Sequence, residues 1–413
     1  MTAGADVFFR EWDRRLPGQA RSVDRARRLA TGLGLLEPGV PVLTVVGSKG
    51  KGTAATFASA HLAAAGLRVC TVTSPGLRSD RERIRVNGQA LTEREFQDVA
   101  GDLGRAMDAL PEPTGGYLSP SGLFTLGGML RARTAGADVV VLEAGRGGRS
   151  DEVSLFPPTV AALTPIFAEH VGVLGDTPAA IAEEKAAVTG PATRAVVSAP
   201  QTPDVTEAVV RTLRERGITL ETLGGQPPPE PEWPLPDGFG RVNALVGSTA
   251  ARRLLEVCAM AAAPPETLAS VLSSVSLPGR LSWHRLPGTG AELLADCAIS
   301  RPGVAAALAA ARRRWGTIGH VFVCLPDHKD VAGAITELGD LPVTFVRLPG
   351  RHLGFTHPIP PGWPVLDAAD LTRGTLEGAG GHVVALGTVY FVGRVLELVG
   401  ACTERLFTLP AGS

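Results

Sequence analysis

The chain has 413 residues, 44% of them apolar, and its 40 basic and 41 acidic side chains leave a formal net charge of −1. That length predicts more than one domain with sizeable cores, and the charge balance gives no basis for a nucleic-acid or membrane-surface partner. Five scattered cysteines without a C-x-x-C pair, a charged start in place of a signal peptide, and no run near the ~18 apolar residues of a membrane helix lead us to expect reduced thiols and a cytoplasmic, monomeric protein.

The first predicted strand, "PVLTVV" (41–46), runs into "GSKGKGT" (47–53), which opens an alanine-rich helix predicted over 52–66. The spacing is not the common G-x-x-x-x-G-K-[ST], because Val45 stands where the first glycine belongs and Gly52 separates Lys51 from Thr53. The physical context still favours an anion, since a strand-to-helix turn gathers free N–H groups at the positive end of a helix. Gly47, Gly50 and Gly52 let the backbone around Ser48 approach a phosphate, Lys51 can reach a β- or γ-phosphate, and the Thr53 hydroxyl can hold Mg²⁺. A plain glycine turn that binds nothing is the alternative, and the lysine and threonine together weigh against it.

Strands are predicted next over 67–73, 138–144, 159–165 and 194–199, with helices over 93–110, 178–188 and 203–216. This alternation predicts a parallel sheet covered on both faces. Glu143 ends an otherwise Val/Leu strand, where a carboxylate faces either the ligand crevice or a strand-end ion pair. His170 lies just past the next strand and is read as a metal ligand or a structural histidine. Lys185, on the 178–188 helix, is by itself most simply a solvated lysine. A proline-rich break follows over 225–238, then helices near 243–262 and 264–274 and a second joint at 276–290. The alternation then restarts, with strands in "AELLADC", "HVFVCLP", "PVTFVRL" and "HVVALG" and helices near 302–315, 330–338 and 391–400. We place the domain boundary at residue 280, giving domains 1–280 and 281–413, and find no internal repeat.

These segments together resemble the folylpolyglutamate synthase and dihydrofolate synthase branch of the Mur ligases. "GSKGKGT" is similar to the family's G-T-N-G-K-G-[ST], and 69–96 resembles its T-S-P-H-L…E-R-I-x-[IV]-N-G. "LEAGRGGRSD" (142–151) resembles L-E-V-G-L-G-G-R-x-D, 163–188 resembles I-T-x-I-x-x-D-H…L-G-x-T-x-x-x-I-A-x-E-K-A-G-I, and "ALGTVYFVGRV" resembles T-G-S-L-Y-L-V-G. The resemblance implies a P-loop Mur-ligase-type ATP-binding domain with a parallel sheet, followed by a smaller Rossmann-like C-terminal α/β ligase domain. It implies an ATP- and Mg²⁺-dependent ligase that phosphorylates a small-molecule carboxylate and couples it to an amine, usually that of glutamate. Carried over residue by residue, Lys51 holds phosphates, while Thr53, Ser74, Glu143 and His170 line the metal sites. Lys185 matches a lysine that the family carbamylates, which turns an ammonium into a group able to support a metal. Arg280 matches an arginine that reaches the phosphates, Asn243 a nucleotide-side asparagine, and Asp296 the aspartate of D-G-A-H-N near the sugar.

The departures fall in the substrate regions. "DCAISRPG" (296–303) puts Ile299 and Ser300 where the family has histidine and asparagine, and an alkyl chain makes none of imidazole's hydrogen bonds. Gly76 replaces a histidine, Glu169 an aspartate and Lys49 an asparagine, and of H-Q-x-x-N only Asn243 remains, with Phe239 and Gly240 at the other two positions. Three readings follow: a ligase with a changed acid or amine, a genuine folate enzyme adding L-glutamate, and a non-catalytic nucleotide-binding relative. Lys329, Asp330, Arg347, Arg351 and His352 are weaker candidates, and His61 in the alanine-rich helix is read as structural.

Overall fold

The computed structural model describes residues 4–113, 115–224, 235–236, 239–350 and 353–410. Most of the proline-rich break, together with Arg351, His352 and the Phe239 side chain, lies outside the described residues. The chain packs as two compact units, Met1–Val275 with Glu404–Ser413, and Ser276–Thr403. The divide therefore falls slightly before residue 280, and the C-terminal tail, placed by sequence with the second domain, packs with the first unit.

The first unit runs α1 (Ala5–Arg14), α2 (Val23–Gly32), β1 (Val42–Val46), α3 (Lys51–Ala64), β2 (Val69–Val72), β3 (Ile84–Val86), β4 (Gln89–Ala90), α4 (Glu93–Asp108), α5 (Pro120–Ala135), β5 (Val139–Glu143), β6 (Val160–Leu163), α6 (Pro178–Ala186), β7 (Ala195–Ser198), α7 (Pro203–Arg214), β8 (Leu220–Thr222), α8 (Phe239–Val257) and α9 (Pro265–Ser273). Its sheet has the order β4-β3-β2-β5-β1-β6-β7-β8. Strands β2 to β8 pair in parallel, and the β3–β4 hairpin adds an antiparallel edge. The central strands β1, β5 and β6 are buried along their whole length, as continuous Val/Leu/Ala runs between two helical layers require. Val45 pairs with Glu143, and Val46 with Leu163. The segments that follow these three strands therefore leave the sheet at one edge, its carboxyl end, where open α/β sheets bind ligands.

Two helices press unusually close. In α3, residues 52–64 are all buried, and α8 crosses it where a Cβ on Gly247 would lie 2.1 Å from the Ala54 carbonyl oxygen. Helix α5 was not predicted. It is buried around most of its circumference, and a Cβ on Gly128 would lie 2.1 Å from Val72, so no apolar stripe with a 3.6-residue period marks it. Its ends are well specified: the Ser119 side chain accepts from the Gly122 N–H, Pro120 occupies the first turn, and Gly136 closes the helix in a left-handed conformation. The tail is fixed to the sheet edge, with Ala90 N–H donating to the Glu404 carbonyl at 2.8 Å and Leu406 N–H to that of Gly88 at 3.0 Å.

The second unit contains β9 (Ser282–Arg285), β10 (Glu292–Asp296), α10 (Arg301–Trp315), β11 (His320–Cys324), α11 (Val331–Leu338), β12 (Val343–Arg347), β13 (Val365–Asp367), α12 (Arg373–Glu377), β14 (His382–Gly387) and α13 (Val389–Leu398). Its sheet, ordered β13-β12-β11-β14-β10-β9, is parallel except for β9. The short strands β8, β9 and β13 and the hairpin were not predicted, because two- to four-residue edge segments carry too little periodicity.

Replacing glycine by alanine inside a helix ordinarily stabilises it by up to about 1 kcal/mol. At Gly247 the expected sign is reversed: Gly247→Ala should lower the unfolding free energy by about 1–3 kcal/mol, because a methyl group meets helix backbone that cannot rotate away. Chemical denaturation checks this, and an unchanged or raised midpoint would show that α3 and α8 separate without cost.

Candidate active site

The loop after β1 is shaped by contacts that exclude side chains. A Cβ on Gly47 would fall 1.9 Å from the Thr164 hydroxyl and 2.9 Å from its carbonyl oxygen, and one on Gly50 would fall 2.0 Å from the Asn243 amide nitrogen. Both glycines also hold positive φ, 144° and 84°, so no other residue fits either place without strain. Helix α3 starts at Lys51, and the N–H groups of its first turn have no carbonyl within the helix to donate to. Thr53, 3% exposed, lies in that turn. Ser48 is engaged elsewhere: its N–H donates to the Pro165 carbonyl at 3.0 Å, and its hydroxyl pairs with both backbone groups of Phe167 at 3.1 Å. Ser48 thus ties the loop to the segment that follows β6.

Two lysines converge on one carbonyl. The Gly47 oxygen accepts from Lys51 Nζ at 2.9 Å and from Lys185 Nζ at 2.9 Å. Lys185 is 1% exposed and is paired with Glu169 at 2.8 Å, which excludes the solvated-lysine alternative left open by sequence. Burial first, and then the charge of Lys51, push its pKa down, while Glu169 acts against them. Sequence registered Glu169 only as a replacement for aspartate; its role as partner of Lys185 needed the fold, which brings residues sixteen apart in the chain together. His170 follows in a left-handed conformation, φ 47°. Its pKa is lowered, by partial burial above all, with the charges of Arg146, Lys185 and Lys51 adding to the shift and Glu169 opposing it.

Glu143 is 7% exposed, and its carboxylate accepts the Ser74 N–H at 3.0 Å. Strand pairing sets Glu143 beside Val45, just before the phosphate loop. The structure thus gathers Gly47, Ser48, Gly50, Lys51, Gly52, Thr53, Ser74, Glu143, His170, Lys185 and Asn243 within the first unit. Arg280 and Asp296 belong to the second unit. Asp296 accepts the Leu281 N–H at 2.6 Å and so holds the left-handed turn at Leu281, φ 47°; burial raises its pKa to about 6, against the pull of that N–H and of Arg280.

Among the described residues, no three His, Cys, Asp or Glu side chains form a metal cage. Mg²⁺ does not need one. It binds through one or two carboxylates, hydroxyls and substrate phosphates and keeps several waters. A buried carboxylate at the carboxyl end of the sheet and a threonine in the first turn of α3 suit that mode of binding.

Beneath the site lies a charged cluster that sequence reading did not identify. Arg21 donates to Asp151 at 3.1 Å, pairs with Glu152 at 3.5 Å and donates to the Arg146 carbonyl. Glu152 is 0% exposed, and the Ser119 hydroxyl donates to it at 2.7 Å. Gly122 leaves the room that the Glu152 carboxylate fills, since a Cβ there would come within 2.4 Å of it. Of the weaker candidates, Asp330 caps α11 through the Gly333 N–H and also accepts from Arg301 N–H. His61 is 7% exposed in α3, and burial, aided by Arg252, lowers its pKa to about 4.

The first unit sets a glycine-rich strand-to-helix loop on a largely parallel sheet, and a second α/β unit follows it in the chain. No protein-family model matches the chain. The chain is 31% identical over 233 residues to the dihydrofolate synthase/folylpolyglutamate synthase of Escherichia coli, covering 54% of this chain and 51% of that protein. It is 34% identical over 203 residues to a probable bifunctional folylpolyglutamate synthase/dihydropteroate synthase of Haloferax volcanii, covering 48% of this chain and 23% of that protein. The chain thus spans at most about half the length of these two relatives. The folylpolyglutamate synthase structure of Thermotoga maritima superposes with a TM-score of 0.80 at 18% identity, covering 96% of this chain and 97% of that one. An FPGS–AMPPCP complex superposes at 0.78 and 19% identity over 96% of this chain and 99% of that one. The chain has the fold of these folylpolyglutamate synthase structures. Among the described residues, no helix is long and apolar enough to cross a membrane.

The buried cluster predicts a pH dependence. Burial and the neighbouring Asp151 raise the Glu152 pKa from its ordinary 4.5 to about 7, against Arg21 and the Ser119 hydrogen bond. The folded state therefore holds a proton that the unfolded chain releases near 4.5. This contribution is complete below about 4.5 and is lost as pH rises through about 7, lowering the unfolding free energy by up to about 3 kcal/mol. Glu152→Gln should flatten this slope in urea titrations at pH 5, 6 and 7.5; an unaltered slope would assign the pH dependence to other groups.

Proposed function

We propose that the protein is an ATP- and Mg²⁺-dependent carboxylate–amine ligase acting through an acyl phosphate. The observation that carries this reading is Lys51 at the start of α3, its Nζ 2.9 Å from the Gly47 carbonyl in a loop whose glycines exclude side chains. The reaction brings an anionic acid against an anionic triphosphate, so cations and a metal must lower the repulsion. A carboxylate oxygen attacks the γ-phosphorus, the bond to the leaving ADP oxygen breaks, and an acyl phosphate forms. The amine then attacks the acyl carbon, phosphate leaves, and one proton is released with the amide. In this reading Lys51 swings from its loop carbonyl to the phosphates, Asn243 stays against Gly50 on the nucleotide side, and Thr53, Ser74, Glu143 and His170 surround Mg²⁺, which supplies Lewis-acid polarisation when bound. The family resemblance also assigns Arg280 and Asp296 to the nucleotide.

Lys185 carbamylation belongs to the same proposal. CO₂ adds to the neutral amine and releases a proton, and the lowered pKa of this buried lysine raises the neutral fraction. The product would place a second anion near Glu169, which bound Mg²⁺ would offset.

The changed-substrate reading is favoured over a folate enzyme adding L-glutamate by two local facts. A Cβ on Gly76 would lie 2.3 Å from the Ser79 carbonyl oxygen, so the loop fills the place of the family's histidine with its own backbone. Ile299 packs onto the apolar core of the second unit and offers no polar group there. ATP hydrolysis should depend on Mg²⁺ and on an acid–amine pair, measured across a panel with dihydropteroate, tetrahydrofolate and glutamate. Efficient turnover of dihydropteroate with glutamate would establish the folate reading instead, and failure to bind Mg·ATP would remove both. Lys185→Ala should lower kcat by about 100-fold or more while ADP still binds; full activity in that variant would strip Lys185 of its role.

A further inference from the structure

The loop that joins Glu143 to Asp151 carries an arginine, Arg146, where the family pattern L-E-V-G-L-G-G-R has leucine. Its backbone is pinned on two sides. Asp151 accepts the Arg146 N–H at 2.8 Å, and Arg21 donates to the Arg146 carbonyl. Across the loop, Glu184 accepts the Ser150 N–H through its carboxylate at 2.7 Å and the Arg149 N–H through its carbonyl at 3.0 Å. A Cβ on Gly148 would lie 2.4 Å from the Lys185 carbonyl oxygen, and one on Gly147, at φ 90°, would lie 3.1 Å from Leu174. The loop therefore lies directly against the backbone of Lys185 and the segment that follows His170.

The Arg146 side chain is half-buried, and its guanidinium has no hydrogen bond or ion pair among the described residues. The first unit's other buried or half-buried guanidiniums nearby are used: Arg21 holds two carboxylates and a carbonyl. A cation held by a rigid loop that lies against the Lys185 backbone, without a partner among the described residues, is arranged for an anion from outside the chain. A guanidinium suits a planar or tetrahedral oxyanion because its N–H groups form a fork.

We propose that Arg146 is an oxyanion-binding residue of this site, engaging the phosphoryl group in transfer or the carboxylate that receives it. The inference rests on the ligase reading. Leucine at this position makes no such contact, so the residue would distinguish this chain's substrate handling from that of its relatives.

The test compares wild type with Arg146→Leu and Arg146→Lys by calorimetric titration of Mg·ADP, with and without aluminium fluoride as a mimic of the transferring phosphoryl group, and by turnover across the acid–amine panel. If Arg146 serves the phosphoryl group, Arg146→Leu weakens the aluminium fluoride complex by at least about tenfold and Arg146→Lys recovers part of the loss, while Mg·ADP alone binds within about twofold of wild type. If it serves the carboxylate, the aluminium fluoride complex is unaffected and KM for the acid rises by at least about tenfold with KM for ATP unchanged. Equal weakening of Mg·ADP alone would reveal a merely structural role and overturn the proposal, as would Arg146→Leu matching wild type in every arm. Wild-type protein that binds no Mg·ADP would overturn the ligase reading itself, and this proposal with it.

Discussion

The site is organised around one carbonyl group. Each peptide oxygen has two lone pairs, and that of Gly47 gives both to lysines from distant parts of the chain. Two ammonium groups this close repel, so the arrangement persists only because Glu169 neutralises one of them and the loop cannot relax. Gly47 is wedged against Thr164, Gly50 against Asn243, and Ser48 is bonded to the segment after β6. Rigid main chain thus holds Lys51 in reserve at the start of a helix. An incoming triphosphate would replace the Gly47 carbonyl as the partner of Lys51, exchanging a neutral acceptor for an anionic one that binds more strongly.

The outer framework serves the same end. Close approach of α8 to α3 through Gly247 brings Asn243, one turn earlier on α8, over the loop. On the far side, Arg21, Asp151, Glu152 and Glu184 hold the 145–151 segment from below and from α6. Buried ion pairs of this kind add little net stability, because desolvation offsets most of their attraction. Here they fix the backbone between Glu143 and Asp151, and breaking one partner would leave a charge uncompensated.

Much of this was legible in sequence for physical reasons. The central strands are continuous apolar runs, and a loop of Gly, Lys and Thr between a strand and a helix has few other uses. What escaped detection falls into two kinds. Helix α5 is buried on nearly all sides and interrupted by glycines, so it has neither an apolar stripe nor a propensity signal. The pairings Lys185–Glu169 and Arg21–Glu152 join residues whose spacing says nothing about contact until the sheet order is known. Lys185 by itself read as a solvated lysine for that reason; its family match singled it out, and the structure shows it buried against Glu169. The tail Glu404–Ser413 offered no cue that it pairs with the β3–β4 edge rather than with the unit it follows.

On the proposed route a phosphoryl group passes to a carboxylate before the amide forms. The most direct measurement follows oxygen: the acid that supports turnover is labelled with ¹⁸O in its carboxylate, and the released phosphate is examined by mass spectrometry. The acyl phosphate route predicts one labelled oxygen in each phosphate, because the bridging oxygen leaves with phosphorus when the amine attacks carbon. Unlabelled phosphate accompanying amide formation would contradict the account.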